Sequence, residues 1–238
     1  MWTAGGDWQD EDGNVTVDTY EGRRALDFLL STMNIGVTKD NIAETATDDS
    51  RTEFQAGDVV FMLNWGYAWA RAQGDEDSQV VGDVGVAPLP AFAGHESATC
   101  IGGWQWTINA FSSNKEAAFE TMRFLTSEDV QRVLAADDSR IPARTSLYSD
   151  PLVLESVPHY GQFYDVIVNA RPRPVTPYYA EVSELVRTTV NAVLARSISI
   201  DQALRDMQTG LEDIVAQQAA LAGVRSGPPP ILRPRVFP

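Results

Sequence analysis

The sequence predicts an α/β protein, in which a few short buried strands interleave with amphipathic helices. Three observations carry this. Val59–Leu63 (VVFML) is a continuous apolar run of strand length. Gly102–Asn109 (GGWQWTIN) alternates as a strand does. Around them, apolar residues recur at the three- and four-residue spacing of helix faces. The strands are few for 238 residues, which points to part of a larger sheet system.

Each element has a local reason. Trp8 to Val17 reads as a turn around Asp12-Gly13-Asn14, then an extended piece. Tyr20 to Met33 is helical, with Ala25, Phe28, Leu29 and Thr32 on one face. Thr38 to Arg51 is polar and expected to be a loop with a helical turn. Glu53 to Gly57 closes a helix, with Gly57 as its C-cap. After the Val59–Leu63 strand, Tyr67 to Gln73 turns helical. Val84 to Pro88 is a second strand, stopped by Pro88 and Pro90. Ser113-x-x-Glu116 is a capping box for a helix over Lys115–Leu125, striped by Ala118, Met122 and Leu125. Ser127 caps a helix over Glu128–Ala136. Ile141 to Ser149 is loop, and Asp150 to Ala170 is mostly helical. Arg171–Pro177 (RPRPVTP) has three prolines in seven residues and must be extended. Glu181–Ala195 and Ser199–Ala222 are helices, the second with Leu204, Met207, Leu211 and Ile214 on one face. The tail from 223 to 238 is rich in proline and arginine, lacks acids, and is expected to be unpacked.

Composition narrows the function. Apolar content of 44% and charged content of 21% suit a globular chain. The formal net charge of −15 and pI near 4.4 argue against nucleic acid or an anionic membrane as partner. Cys100 is the single cysteine, so no intramolecular disulfide forms, and it reads as a small buried hydrophobe. His95 and His159 lie far apart, and no zinc motif is present. The acidic residues Asp7, Asp10, Glu11 and Asp12 lack calcium-loop spacing and read as a solvated turn. The N-terminus has neither the basic nor the apolar region of a signal peptide. No metal and no cofactor are expected.

The six tryptophans form three pairs, Trp2/Trp8, Trp65/Trp69 and Trp104/Trp106, each beside glycine. An indole can lie flat on the C–H face of a sugar ring, and glycine lets backbone approach such a ligand. Trp65 and Tyr67 follow a strand end, where open α/β sheets place ligands. Gly102-Gly103-Trp104 would offer bare N–H groups and an indole. Trp69 and Trp106 are expected in the core. Arg171 and Arg173 share a face of the extended segment, and a guanidinium fork suits vicinal hydroxyls.

The ordered set Phe54-x-x-Gly57-Asp58, Asn64-Trp65-Gly66-Tyr67-Ala68-Trp69, Gly85-Val86-Ala87-Pro88, Gly102-Gly103-Trp104, Asn114-Lys115-Glu116-Ala117-Ala118 and Arg171-Pro172-Arg173-Pro174 resembles the C-terminal part of the extracellular solute-binding proteins, family 1. These are sugar-binding components of ABC importers, and the likeness is to the maltose/trehalose-type branch. It spans about Gly5 to Val215. The resemblance implies a periplasmic-binding-protein-like (type II) two-lobe clamp, present here as its C-terminal part. Residues 1–88 would belong mainly to the second lobe, 89–136 mainly to the first, and 137–222 to the closing helices of the second. It further implies an extracytoplasmic, non-catalytic protein that is monomeric when complete, binds a mono- or oligosaccharide, and hands it to ABC permease subunits. The expected ligand contacts are Trp65, Tyr67, Gly102, Gly103, Trp104, Arg171, Arg173, Tyr178 and Trp8. Two rivals differ in class. A glycoside hydrolase would need a carboxylate pair, for which Glu53, Asp58 and Glu181 are candidates. A protein-interaction fragment would bind no ligand at all.

Overall fold

The computed structural model describes residues 1–221. The predicted tail, 223–238, and Ala222 lie outside the described residues. The chain divides into two compact units, each assembled from separate stretches. Of the described residues, unit 1 takes Met1–Glu44, Leu89–Cys100 and the chain from Arg171 to Leu221, and unit 2 takes Thr45–Pro88 and Ile101–Ala170.

Unit 1 is built on three helices, α1 (Tyr20–Asn34), α8 (Tyr179–Leu194) and α9 (Ile200–Leu221). Its core comprises Val15, Val17, Leu26, Val182, Val193, Ala203, Leu204, Met207 and Leu211, with Trp8 and Ile214 packed against it. The apolar face read for α9 is therefore the buried one. The face read for α1 is not: Gly22, Leu26 and Met33 point inward, while Phe28 and Leu29 are exposed. The first turn of α1 lies against the Val17 carbonyl, where a Cβ on Gly22 would come within 2.1 Å of the oxygen. That approach turns the glycine side inward and rotates the helix away from the predicted face. Thr19 caps the helix by accepting from the Gly22 N–H at 3.3 Å. Gln208 on α9 completes the joint. Its Oε1 accepts from Val17 and Asp18 N–H, both at 3.1 Å, and its Nε2 donates to the Val15 carbonyl at 2.8 Å. A side-chain amide thus pairs backbone groups that no strand reaches.

The acidic turn is self-contained. Asp10 accepts from Asp12 N–H, Asn14 N–H and Asn14 Nδ2, and Gln9 bridges Val15 behind it. The bonds from Asn14 hold its carboxyl below the usual carboxylate range. Among the described residues, no group of three or more His, Cys, Asp or Glu side chains could hold a metal ion.

Unit 2 carries α2 (Thr47–Gln55), α3 (Ala68–Gly74), α4 (Lys115–Leu125), α5 (Glu128–Asp138), α6 (Pro151–Ser156) and α7 (Tyr160–Val168). Its core is Ala135, Leu147, Tyr148, Val153, Val157 and Tyr160. The Tyr148 hydroxyl donates to the Pro142 carbonyl at 2.7 Å, and the Tyr160 hydroxyl donates to the Ser139 carbonyl. Burial raises both phenols, Tyr148 to about 12. Ser127 caps α5 as its sequence position predicts. Asp150 caps α6 through the Leu152 and Val153 N–H groups and also receives Arg132 Nε at 2.7 Å. The Arg132 bond, more than any other contact, holds the Asp150 carboxyl below its ordinary range.

Several expectations are corrected. Val59–Leu63, Val84–Pro88 and Gly102–Asn109 are irregular, not strands. The strands among the described residues are β1 (Cys100–Ile101) and β2 (Arg171–Pro172), with Arg171 N–H donating to the Thr99 carbonyl at 2.9 Å. A strand exists only where a second one supplies its ladder, and the described residues supply none to the three segments. Helix α2 starts at Thr47, inside the stretch expected as loop, and ends at Gln55 with Ala56 as C-cap. Helix α4 has its predicted bounds but Asn114 as N-cap, without a side-chain capping bond. Cys100 is half-buried. Trp106 is 59% exposed and not in the core, because its segment has no sheet to pack on.

His159 marks a pH-dependent point in unit 2. Its ring centroid lies 4.8 Å from that of Trp69, 5.1 Å from Tyr160 and 5.7 Å from Phe163. Its Nδ1 is buried without a hydrogen-bond partner among the described residues. Burial lowers its pKa. The unfolded chain then binds a proton near pH 6.5 that the folded state resists. Stability from this site is complete above about pH 6.5 and is lost as pH falls toward the lower folded value. The melting temperature should therefore drop between about pH 7 and 5, and thermal melts of His159→Gln should show a smaller drop.

Candidate ligand-binding site

The residues proposed to touch ligand fall in both units. In unit 1, a short 3₁₀ turn (Trp2–Ala4) presents Trp2, whose indole Nε1–H donates to Asp7 Oδ1 at 2.9 Å. The same oxygen accepts the Trp8 N–H at 2.8 Å. Asp7 Oδ2 faces Arg171 Nη1 at 3.4 Å, and the Arg171 guanidinium lies 5.6 Å from the Trp2 ring centroid. One carboxylate thus fixes an indole and a guanidinium together. Arg171 remains 50% exposed, so donors of its fork stay open to another molecule. Arg173 takes a different partner: Nη1 meets the Tyr179 hydroxyl at 3.2 Å, with the guanidinium 5.4 Å from that ring centroid. The Tyr179 contact raises the Arg173 pKa. Both arginines are exposed and Pro172 and Pro174 half-buried, the alternation an extended segment gives. Tyr178 is half-buried at the N-cap of α8, its N–H on Thr176 Oγ1. Trp8 packs on the core of unit 1.

In unit 2, Trp65 is 50% exposed, with its N–H on Asn64 Oδ1 at 2.7 Å. The Tyr67 hydroxyl donates to Asp48 Oδ1 at 3.2 Å, which orients the ring from α2. Gly66 between them has a steric cause: a Cβ there would meet Ile141 Cγ1 at 2.9 Å and the Ser139 carbonyl oxygen at 3.0 Å. Trp69 turns away, packs on the unit 2 core, and donates its indole N–H to the Ser156 carbonyl at 3.1 Å. It is a core residue, as the sequence suggests. Gly102 and Gly103 are exposed, and Trp104 is 96% exposed.

Within unit 1 the structure joins Arg171 to two residues not among the expected ligand contacts, Trp2 and Asp7. It joins Arg173 to Tyr179. A signal for Asp7 existed: an acid between Gly5-Gly6 and Trp8 has two tryptophans within reach. Two surface hollows lie elsewhere. One, of about 510 Å³, is lined by Ile108, Lys115, Glu116, Phe119 and Glu120. The other, of about 540 Å³ in unit 1, is bordered by Met33, Gly36, Lys39 and Arg196. Neither contains a stacking tryptophan. An exposed aromatic is a flat surface platform and needs no hollow around it.

Exposed indoles and a guanidinium held by a carboxylate are groups suited to contact a polar ligand with apolar faces. The model of the bacterial extracellular solute-binding protein family matches residues 1–132, over half of the chain, and the protein belongs to that family. It is 36% identical over 214 residues to a probable ABC transporter-binding protein of Deinococcus radiodurans, covering 89% of this chain and 50% of that one. The maltose-bound MalE3 of T. maritima superposes with a TM-score of 0.86 at 38% identity, over 90% of this chain and 55% of its own. The GacH receptor of Streptomyces glaucescens, solved unliganded and with acarbose, superposes at 0.75 and 26% identity, over 90% and 55%. The fold is that of the type II periplasmic binding proteins, and the chain spans about half the length of the curated relatives it matches. The hydrolase reading is set aside, since family and relatives are solute carriers.

Proposed function

We propose that this chain is the sugar-contacting part of a solute-binding protein for an ABC-type importer, and that its ligand is an α-glucoside disaccharide such as maltose or trehalose. The observation that carries this reading is the likeness to maltose-bound MalE3 at 38% identity and a TM-score of 0.86. The geometry supports it. Trp65, Tyr67 and Trp104 offer ring faces for stacking, and Gly102-Gly103 offers exposed backbone for hydroxyls. Arg171 donates to vicinal hydroxyls from a fork that Asp7 and Trp2 hold in place, while Arg173, Tyr178 and Trp8 border the same segments. Closure of the two lobes of the whole protein excludes water and strengthens these bonds. The loaded protein works outside the cytoplasm and presents the sugar to permease subunits.

The test is tryptophan fluorescence during titration with maltose, trehalose and glucose, with thermal melts of the same samples. A saturable shift with one disaccharide and a raised melting temperature are expected. A cooperative melt unmoved by all three sugars would overturn the reading for this chain.

Asp7→Asn gives a sharper check on Arg171. The Asp7–Arg171 pair is about half-exposed on both sides, so its loss should cost the fold only ~0–1 kcal/mol. Disaccharide affinity should nevertheless fall several-fold, because the fork is no longer pre-oriented. Isothermal titration beside a thermal melt separates the two effects.

A further inference from the structure

We propose that Arg51 and Asp48 of α2 are positioning residues for the ligand site, which together fix the ring of Tyr67 before a ligand arrives. The proposal rests on the reading that Tyr67 contacts the sugar, and it adds how that ring is held. Tyr67 stands at the N-cap of α3, and Asp75 is the C-cap of the same helix. Arg51 serves both ends. Its Nη1 lies 3.5 Å from Asp75 Oδ2, and its Nε lies 3.4 Å from Asp48 Oδ1. That same Asp48 oxygen accepts the Tyr67 hydroxyl at 3.2 Å. One guanidinium thus holds α3 directly at its C-terminus and, through a carboxylate, at its N-terminus.

The two arms differ in what they do for the fold. The arm to Asp75 is built inward around Gln55, which is buried. Gln55 Nε2 donates to the Arg71 carbonyl and to Asp75 Oδ2, both at 2.9 Å, and its Oε1 accepts from Arg51 Nη1. The Gln55 carbonyl accepts the Gln79 N–H at 2.7 Å. These bonds satisfy buried polar groups and tie α2 to α3. They also enclose Arg51, whose side chain is 20% exposed. The arm to Asp48 buries little. The Asp48 side chain is 78% exposed, and exposed ion pairs add little stability.

The consequence of the Asp48 arm is read at Tyr67. Trp69, two residues on, packs on the unit 2 core, whereas Tyr67 lies outside that cluster. A tyrosine without core packing must be ordered when a ligand lands on it, and that ordering weakens affinity. A carboxylate anchored by an enclosed arginine orders it beforehand. Arginine suits the task, because its planar fork has fixed directions that an ammonium lacks. The start of α2 supports the neighbouring platform as well. Asn64 Nδ2 donates to the Thr47 carbonyl at 3.4 Å, and Asn64 Oδ1 accepts the Trp65 N–H.

The experiment has two arms on this chain, and the first needs no sugar. A 3-fluorotyrosine label replaces Tyr67, and its fluorine resonance is followed. We expect a displaced resonance in the parent protein and in Asp48→Asn, whose amide oxygen still accepts. In Asp48→Ala and in Arg51→Lys it should move toward the position of the free amino acid. Asp48 is exposed, so its variants should keep a cooperative melt. A resonance that Asp48→Ala leaves in place would overturn the proposal, whatever the chain binds. The second arm titrates maltose by calorimetry. Asp48→Ala and Tyr67→Phe should each weaken binding ~3- to 10-fold. The double variant should bind no more weakly than Tyr67→Phe alone, since the two side chains act as one unit. Asp48→Asn should keep most of the affinity. Additive losses would overturn positioning in favour of direct contact between Asp48 and the sugar. A parent protein that binds no maltose would overturn the sugar reading, while the fluorine result still decides the hold on Tyr67.

Discussion

Leu204→Ala should destabilise unit 1 by ~2–5 kcal/mol, the largest single effect expected in this protein. Leu204 is fully buried on α9 at the centre of the unit 1 core, with Leu26 of α1 and Val182 and Val193 of α8 in the same cluster. Truncation removes buried methyl groups and leaves a cavity that three helices can close only in part. Helices α8 and α9 form the most extensive helix pair of the chain and α1 packs on both, so no neighbour can relax alone. Chemical denaturation followed by circular dichroism measures the change. Leu134→Ala, at a solvent-exposed position of α5, is the control and should move the stability by less than ~0.5 kcal/mol. Equal effects from the two substitutions would contradict the core assignment.

Trp65→Ala should weaken disaccharide binding by ~1–3 kcal/mol, about 5- to 150-fold in Kd. Half of the Trp65 side chain is open to solvent, and its backbone position is set by Asn64. The fold therefore loses little when the ring is removed, and the ligand loses a stacking face. Trp65→Phe should recover part of the loss, since a smaller ring still offers a flat apolar surface. The measurement belongs in the whole protein of a close relative, with calorimetry for affinity and a melt to show that the fold persists. No change in affinity would remove Trp65 from the site.

What could be read from the chain, and what could not, divides along the range of the forces involved. Helix α4 appears at its predicted bounds and α5 with its predicted cap, because Ser127 and the apolar spacing act within a turn or two. The stretch Arg171–Pro177 is extended because proline fixes its own φ and restricts its neighbour. The α1 face is not legible in the sequence, because Gly22 carries no hydrophobic signal although its close approach to Val17 decides the rotation. The three expected strands differ from the structure because a ladder is a property of two segments, and a local pattern describes only one of them. The site shows the same division. Trp65 and Trp104 are conspicuous as residues, and both are exposed. The pairing of Asp7 with Arg171 spans 164 residues, and no local pattern announces it.

The Gln208 joint spans still more of the chain, reaching Val17 across 191 residues. On a ribosome adding ~5–20 residues per second, Val15, Val17 and α1 emerge roughly 10–40 s before the helix that covers them. During that interval Val15, Val17 and Leu26 have no α9 to pack on, while the acidic turn before them can already close on its own bonds. Unit 1 is therefore a late assembly. A chaperone that shields its first segment during synthesis should raise the yield of folded protein more than one supplied after release.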